Sequence, residues 1–258
     1  MKSLFFVFFF LLGYFCYCQT IEIPKLMSQP DIDGDLSEWK DLAFSDGLWD
    51  IHRVMNSPWY ERKKNRLTDH GSEPSPERDL SARYYMAWGE KQLFFGALVT
   101  DNVNDVTESK HEPKRWYYKD AIAWFLEIPR DTVPEKFLMG DHAFAFVIDT
   151  AMPDYGAWWR HGTSEIAYIE EPMPSNAVDY AITLKGSSYI LEVKLDLEKL
   201  GIPLPKEGDE YAVMIVHSDP DGGEYGGHLL IYGKGDLDSS WSPAILAAPK
   251  LPIERKEK

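Results

Sequence analysis

From Leu80 onward the chain alternates apolar and polar residues with a period of two. The stretch "LSARYYMAW" places Ala82, Tyr84, Met86 and Trp88 on one side of an extended backbone, and "QLFFGALVTD" does the same with Leu93, Phe95, Ala97 and Val99. Successive side chains of a strand leave opposite faces, so this period is what a sheet with one buried face requires. Gly89, between the two runs, suits a tight hairpin. Comparable runs follow at "AIAWFLEI", "HAFAFVID", "EIAYIE", "VDYAITLKG", "SYILEVKLDL", "EYAVMIVHSD" and "HLLIYG", bounded by Pro, Gly, Asp or Asn. Short strands at such even spacing predict an all-β fold, an antiparallel β-sandwich of the immunoglobulin-like or jelly-roll-like kind.

Helix is confined to short pieces. "SEWKDLA" is long enough for a turn or two, and "DLEKLG" has an Asp cap and a closing Gly201. Neither supplies the crossover that a parallel α/β sheet needs. The segment Ser45 to Asp79 has no clean periodicity and is long for a connection, so it reads as a loop or flap over 45–79.

The N-terminal "MKSLFFVFFFLLGY" is one lysine followed by an apolar run, the layout of a secretory signal. Cys16 and Cys18 offer the small side chains that cleavage favours, which predicts a signal peptide over 1–18 and a single domain over 19–258. Lipid attachment at either Cys is disfavoured by aromatic Phe15 and Tyr17, which stand where a small residue is wanted. The chain's two Cys both lie in this leader, so the expected mature protein has neither thiol nor disulfide and relies on its core. Its expected location is secreted or periplasmic, with no membrane insertion after cleavage.

A formal charge of −15 repels phosphate backbones and anionic lipid, which argues against nucleic acid as a partner; divalent cations are attracted. The sequence has no phosphate loop, dinucleotide fingerprint, "HExxH" or nucleophile elbow. Seven His are scattered without ligand spacing. Carboxylates are too numerous for a glycosidase pair to be singled out. A non-catalytic binding protein is therefore expected.

Nine Trp point to what is bound. Trp39, Trp88 and Trp124 sit where a sandwich builds its core, whereas Trp116, Trp158, Trp159 and Trp241 are flanked by polar, Gly or Pro residues. An exposed indole face is flat and weakly hydrated, and the axial C–H face of a pyranose stacks on it while the sugar hydroxyls stay available to polar groups.

The pieces "DIDGDLSEWKDLA", "QLFFGALVTDN", "WYYKDAIAWFLEI", "YILEVKLDLEKLG" and "DSSWSPAILAAPKL" come in the order shown by family 9 carbohydrate-binding modules, and the chain resembles them from about Pro30 to Leu251. The resemblance implies that Trp116 and Trp241 clamp a terminal sugar, with Tyr117 as an alternative to Trp116 because the spacing to Asp120 is one residue longer than the family's. Two departures weaken the implied polar rim: the family's acid is Ala123 here, and "HAFAFVID" carries no Arg. Trp158, Trp159, Arg160 and His161 are candidate replacements. The resemblance also implies structural calcium, for which Asp101 and Asp105, and then Asp219, Asp221 and Glu224, are the candidate ligands.

The leading expectation is thus an exported carbohydrate-binding protein that takes a glycan end or oligosaccharide in polysaccharide catabolism, with a separate glycoside hydrolase as partner. Two other readings stand beside it. One is a haem b-binding sandwich of an electron-transfer system, with Met86, Met139 or Met214 as axial ligand; the other is a glycoside hydrolase.

Overall fold

The computed structural model describes residues 20–60, 80–103, 115–131, 137–149, 156–164, 167–220 and 228–250. The predicted signal peptide lies outside them. The described strands form two sheets. One contains β1 (Ile21–Pro24), β5 (Ala121–Glu127), β6 (Asp141–Val147), β7 (Ala157–Ser164), β8 (Ala167–Pro172), β11 (Glu210–Ser218), β12 (His228–Ile231) and β13 (Ser242–Ala247). Its order is β1-β13-β11-β5-β6-β7-β8, and β12 pairs with the half of β11 that β13 leaves open. The other runs β2 (Leu48–Asp50), β3 (Leu80–Trp88), β4 (Gln92–Asp101), β10 (Ser188–Asp196), β9 (Val178–Lys185). Pairing is antiparallel except between β1 and β13.

The inner faces meet in a core that follows the period-two reading. Tyr84, Met86 and Trp88 of β3 and Leu93, Phe95, Ala97 and Val99 of β4 all join it. From the opposite sheet come Ile122, Trp124 and Leu126 of β5, and Phe95 stacks on Trp124 with ring centroids 4.9 Å apart. Offset stacking of this kind adds about 0.5–1.5 kcal/mol to the gain from burial alone.

The "DIDGD" stretch covers the outer face of the smaller sheet. Gly34 takes φ +84°, and a Cβ there would lie 2.3 Å from Thr183 Oγ1, so only glycine fits the turn. Fully buried Glu192 of β10 then accepts from the Asp33 and Gly34 amides, at 3.0 and 2.9 Å, and from Trp39 Nε1 at 2.7 Å. This fixes Leu36 and Trp39 against Phe94 in a small apolar layer of their own. "SEWKDLA" forms a single 3-10 turn, Leu36–Glu38, capped by Asp35, and "DLEKLG" forms α2 (Leu197–Leu200), capped by Asp196 and closed by Gly201.

The segment 45–79 departs from its reading as a loop. Its first part holds β2 and α1 (Ile51–Met55), with Trp49, Ile51 and Val54 buried; residues 61–79 lie outside the described residues. Period two fails to reveal this because β2 is three residues long and the helix only five. Side-chain chemistry holds it instead: Asp46 accepts from Trp49 Nε1 and pairs with Arg53 at 2.6 Å, and the guanidinium lies 3.8 Å from the Trp49 ring centroid.

Candidate binding face and carboxylate cluster

The outer face of the larger sheet is floored by small residues. Ala121 and Ala123 of β5, Ala143 and Ala145 of β6 and Ala212 of β11 are all buried there. A floor of methyl groups leaves height for large rings, and Trp116, Phe125, Phe137, Trp158 and Trp241 fill it. Ala123 thus has a packing role where the family pattern places an acid.

Trp116 and Trp241 lie on this one face, but they are only 3% and 2% exposed. Between them stands Phe125, its centroid 6.5 Å from that of Trp116 and 5.7 Å from that of Trp241. Phe137 packs on both Phe125 and Trp241, at 6.0 and 6.3 Å. Each indole N–H is satisfied internally, Trp116 by Glu170 at 2.9 Å and Trp241 by the Gly235 carbonyl at 2.8 Å. The expected slot between two exposed indoles is therefore closed by the protein's own phenylalanines. Trp158 and Trp159 belong to β7, and alternation sends Trp158 to the outer layer and Trp159 to the inner core, so neither offers an exposed face to a sugar. His161, on the same side of β7 as Trp159, stacks on that ring at 3.8 Å and reaches Glu171 at 3.2 Å.

Arg160 is the sequence-predicted residue that does reach a polar surface. It shares the outer side of β7 with Trp158 and is paired across the ladder with Glu170 of β8. Its guanidinium donates to Glu170 at 3.2 Å and to Asp236 at 3.4 Å. The same group lies 5.6 Å from the Phe137 ring and 5.2 Å from that of Tyr168. Tyr168, also on β8, is half exposed. On the other flank is partly buried Tyr117, whose hydroxyl is pushed above its ordinary pKa, first by burial and then by the nearby Glu170 charge. Tyr117, Glu170, Arg160, Tyr168 and Asp236 thus make one patch of two aromatic faces around a charged, hydrogen-bonding centre. Sequence reading missed Glu170, Tyr168 and Asp236; the ladder partner of Arg160 could be found only once β7 and β8 were known to pair.

Beside this face the sandwich closes on three acids. Asp101 ends β4, Asp120 precedes β5 and Asp219 follows β11. The pairing of Ala121 with Ser218 brings Asp120 level with Asp219, and all three carboxylates are buried with oxygens within 4.8 Å of one another. Two of the predicted metal ligands, Asp101 and Asp219, therefore meet, and the third partner is Asp120; Asp105, Asp221 and Glu224 lie outside the described residues. At such a separation each pair of ionised carboxylates repels by about 3 kcal/mol even at an effective dielectric near 20. An all-oxygen donor set that concentrates negative charge fits a hard divalent cation and does not suit zinc. Just inside the cluster, His217 accepts or donates to Tyr84 at 2.7 Å and Tyr189 at 2.8 Å, and burial holds its pKa down to about 3. The cluster is tied to the patch because Tyr117 and Asp120 share one short loop, whose Tyr117 carbonyl accepts from Ser218 Oγ at 3.0 Å.

The methionines weighed as haem ligands are dispersed: Met86 is in the inner core, Met214 in the outer layer, and Met139 is exposed.

This architecture has relatives. The chain matches the family model described as carbohydrate family 9 binding domain-like over residues 53–242, and it belongs to that family. Among solved structures it is similar to a family 9 carbohydrate-binding module from Caldicellulosiruptor kristjanssonii in complex with cellotriose, with a TM-score of 0.59 at 13% identity over 92% of this chain and 100% of the other. A module from the same organism in complex with glucose gives 0.57 at 12% identity, over 90% and 99%. A protein of Bacteroides uniformis described as a candidate carbohydrate-binding protein gives 0.57 at 8% identity, over 88% and 99%. No curated protein matches the sequence.

Proposed function

We propose that this chain is an exported, non-catalytic carbohydrate-binding protein that receives an oligosaccharide on the outer face of its larger sheet. Family membership supports the ligand class, and the relatives that carry cellotriose and glucose suggest the first sugars to try. The observation that carries the site is Arg160, held between Glu170 and Asp236 with the half-exposed Tyr168 ring beside it. Sugar rings then stack on Tyr168 and Tyr117, and their hydroxyls meet Glu170, Asp236 and the guanidinium. Trp116 and Trp241 form the layer beneath rather than the gripping faces.

In this reading Asp101, Asp120 and Asp219 hold a structural calcium ion that fixes the loop bearing Tyr117. The ion supplies positive charge to the carboxylates and takes no part in chemistry. The protein works beside a separate glycoside hydrolase in polysaccharide catabolism, outside the cytoplasm.

The test is calorimetric titration with glucose, cellotriose and a wider oligosaccharide panel. Tyr168→Ala and Arg160→Ala should each weaken binding about tenfold or more, from the loss of one stacking or charge-assisted contact. Binding that survives both substitutions unchanged would remove this face from consideration, and absence of heat with every sugar would remove the ligand class.

A further inference from the structure

A second set of acids lies at the opposite end of β5. Glu127 closes β5, Asp141 opens β6, and the ladder pairs them directly on the outer face. They are 5% and 2% exposed. Glu127 Oε1 accepts from the Asp131 amide at 2.6 Å, and Asp141 Oδ2 accepts from the Leu138 amide at 2.8 Å, while buried Asp141 Oδ1 has no hydrogen-bond partner. No ion pair among the described residues engages either carboxylate. Among the described residues the charged groups that act on the pair are themselves acids, Asp131 in the turn after β5 and Asp238 in the 3-10 turn Asp238–Ser240 before β13.

This set differs from the cluster at Asp101. Among the described residues only Asp101, Asp120 and Asp219 gather three donor oxygens within reach of one ion. Two buried, adjacent carboxyls without a cation relieve their repulsion by keeping a proton. Burial, and then the neighbouring acids, push both carboxyls up to about 7.

The segment that Asp141 holds leads back to the binding face. Leu138 lies over Gly162 of β7 so closely that a Cβ at Gly162 would come within 1.7 Å of the Leu138 carbonyl oxygen. The preceding Phe137 bonds the Asp236 carbonyl at 3.1 Å and lies under Arg160, against Tyr168 at 5.6 Å. We propose that Glu127 and Asp141 form a proton-holding pair, one member neutral at neutral pH, that positions the Phe137–Leu138 segment beneath Arg160 and Tyr168 and releases it as pH rises. Its consequence for ligand binding rests on the proposed carbohydrate site, but the pair itself does not.

The sign follows from the pKa directions. Both folded-state values stand above the unfolded ones, so the native state binds the proton more tightly, and the contribution is full below about pH 4 and is lost as pH climbs through 7. The test compares wild type with Glu127→Gln, which keeps the acceptor for the Asp131 amide. Urea unfolding is followed from pH 5 to 9, together with hydrogen exchange of the Leu138 amide. One proton held up to about pH 7 should cost wild type about tenfold to a hundredfold in its folding constant as pH rises from 5 through 7, relative to the variant. Leu138 protection should fall with the same midpoint in wild type and by less in the variant, where buried Asp141 titrates without its partner. If Glu127→Gln does not fold, Asp141→Asn takes its place. Parallel pH profiles would overturn the proposal, and so would calcium-dependent stabilisation that the substitution abolishes, since the pair would then hold a cation and not a proton. Neither readout uses a sugar, so failure here is distinguishable from failure of the carbohydrate reading.

Discussion

Replacing Glu192 should reveal how much of the fold depends on a single buried acceptor. Its carboxylate collects three donors: Asp33 N and Gly34 N on one oxygen and Trp39 Nε1 on the other. Charge-assisted bonds of this kind are worth about 1.5–3 kcal/mol each, yet desolvation of the acid opposes them. Burial is the larger influence on its pKa, which is raised despite the three donors. Glu192→Ala leaves three neutral donors without an acceptor in an apolar layer, at about 1–3 kcal/mol each, and with the acid's own desolvation relieved the expected net loss is about 3–5 kcal/mol. Glu192→Gln is instructive in another way. Its single carbonyl oxygen can serve the two amides or the indole but not both, so one end of the side chain presents N–H to N–H, at a cost of about 1–3 kcal/mol. Because the folded-state pKa is raised, this group's contribution declines as pH rises past the ordinary carboxylate range, and Gln should remove that slope. Equilibrium urea unfolding with tryptophan fluorescence measures all three quantities. A loss below about 1 kcal/mol for Glu192→Ala would refute the argument, since the turn would then be held by apolar contact alone.

The remaining expectations concern other parts of the molecule. His142 and His217 have pKa values held down to about 3, so their imidazole NMR signals should not titrate between pH 8 and 5; because the unfolded chain takes up these protons first, stability should fall below pH 6.5, by up to about 1.4 kcal/mol per unit for each group. Calcium at a hundred times its dissociation constant should raise the unfolding free energy by about 2.7 kcal/mol, and Asp120→Asn should reduce that gain severely in thermal melts at varied calcium. Gly162→Ala drives a Cβ into the Leu138 backbone and should cost about 3 kcal/mol or more by urea unfolding, with exchange protection lost first at Leu138.

The sandwich was legible because the inner-face residues of its long strands recur with a period of two: β3 and β4 begin and end at the residues where the quoted runs do. β7 was obscured because its run sets Trp158 and Trp159 side by side and continues into polar residues and Gly162, so no apolar alternation marks it, although the two indoles are buried in different layers. β1 and β13 were missed because each carries a Pro, Pro24 and Pro243, a residue that reads in sequence as the boundary of a strand. Residue identity located Asp101 and Asp219, but Asp120 entered the cluster through a register that no local spacing encodes. Likewise Trp116 and Trp241 share a face as the resemblance implied, while Phe125 and Phe137, which cover them, look in sequence like ordinary core residues.

The alanine floor acts as a height gauge. Since the large rings of the outer layer pack with Ala121, Ala123, Ala143, Ala145 and Ala212, the level at which Arg160 and Tyr168 would meet the proposed ligand is set from below by five of the smallest side chains in the protein. Widening any one of them to valine would lift the aromatic tier and tilt the surface, so the proposed recognition would be tuned from a layer buried beneath it.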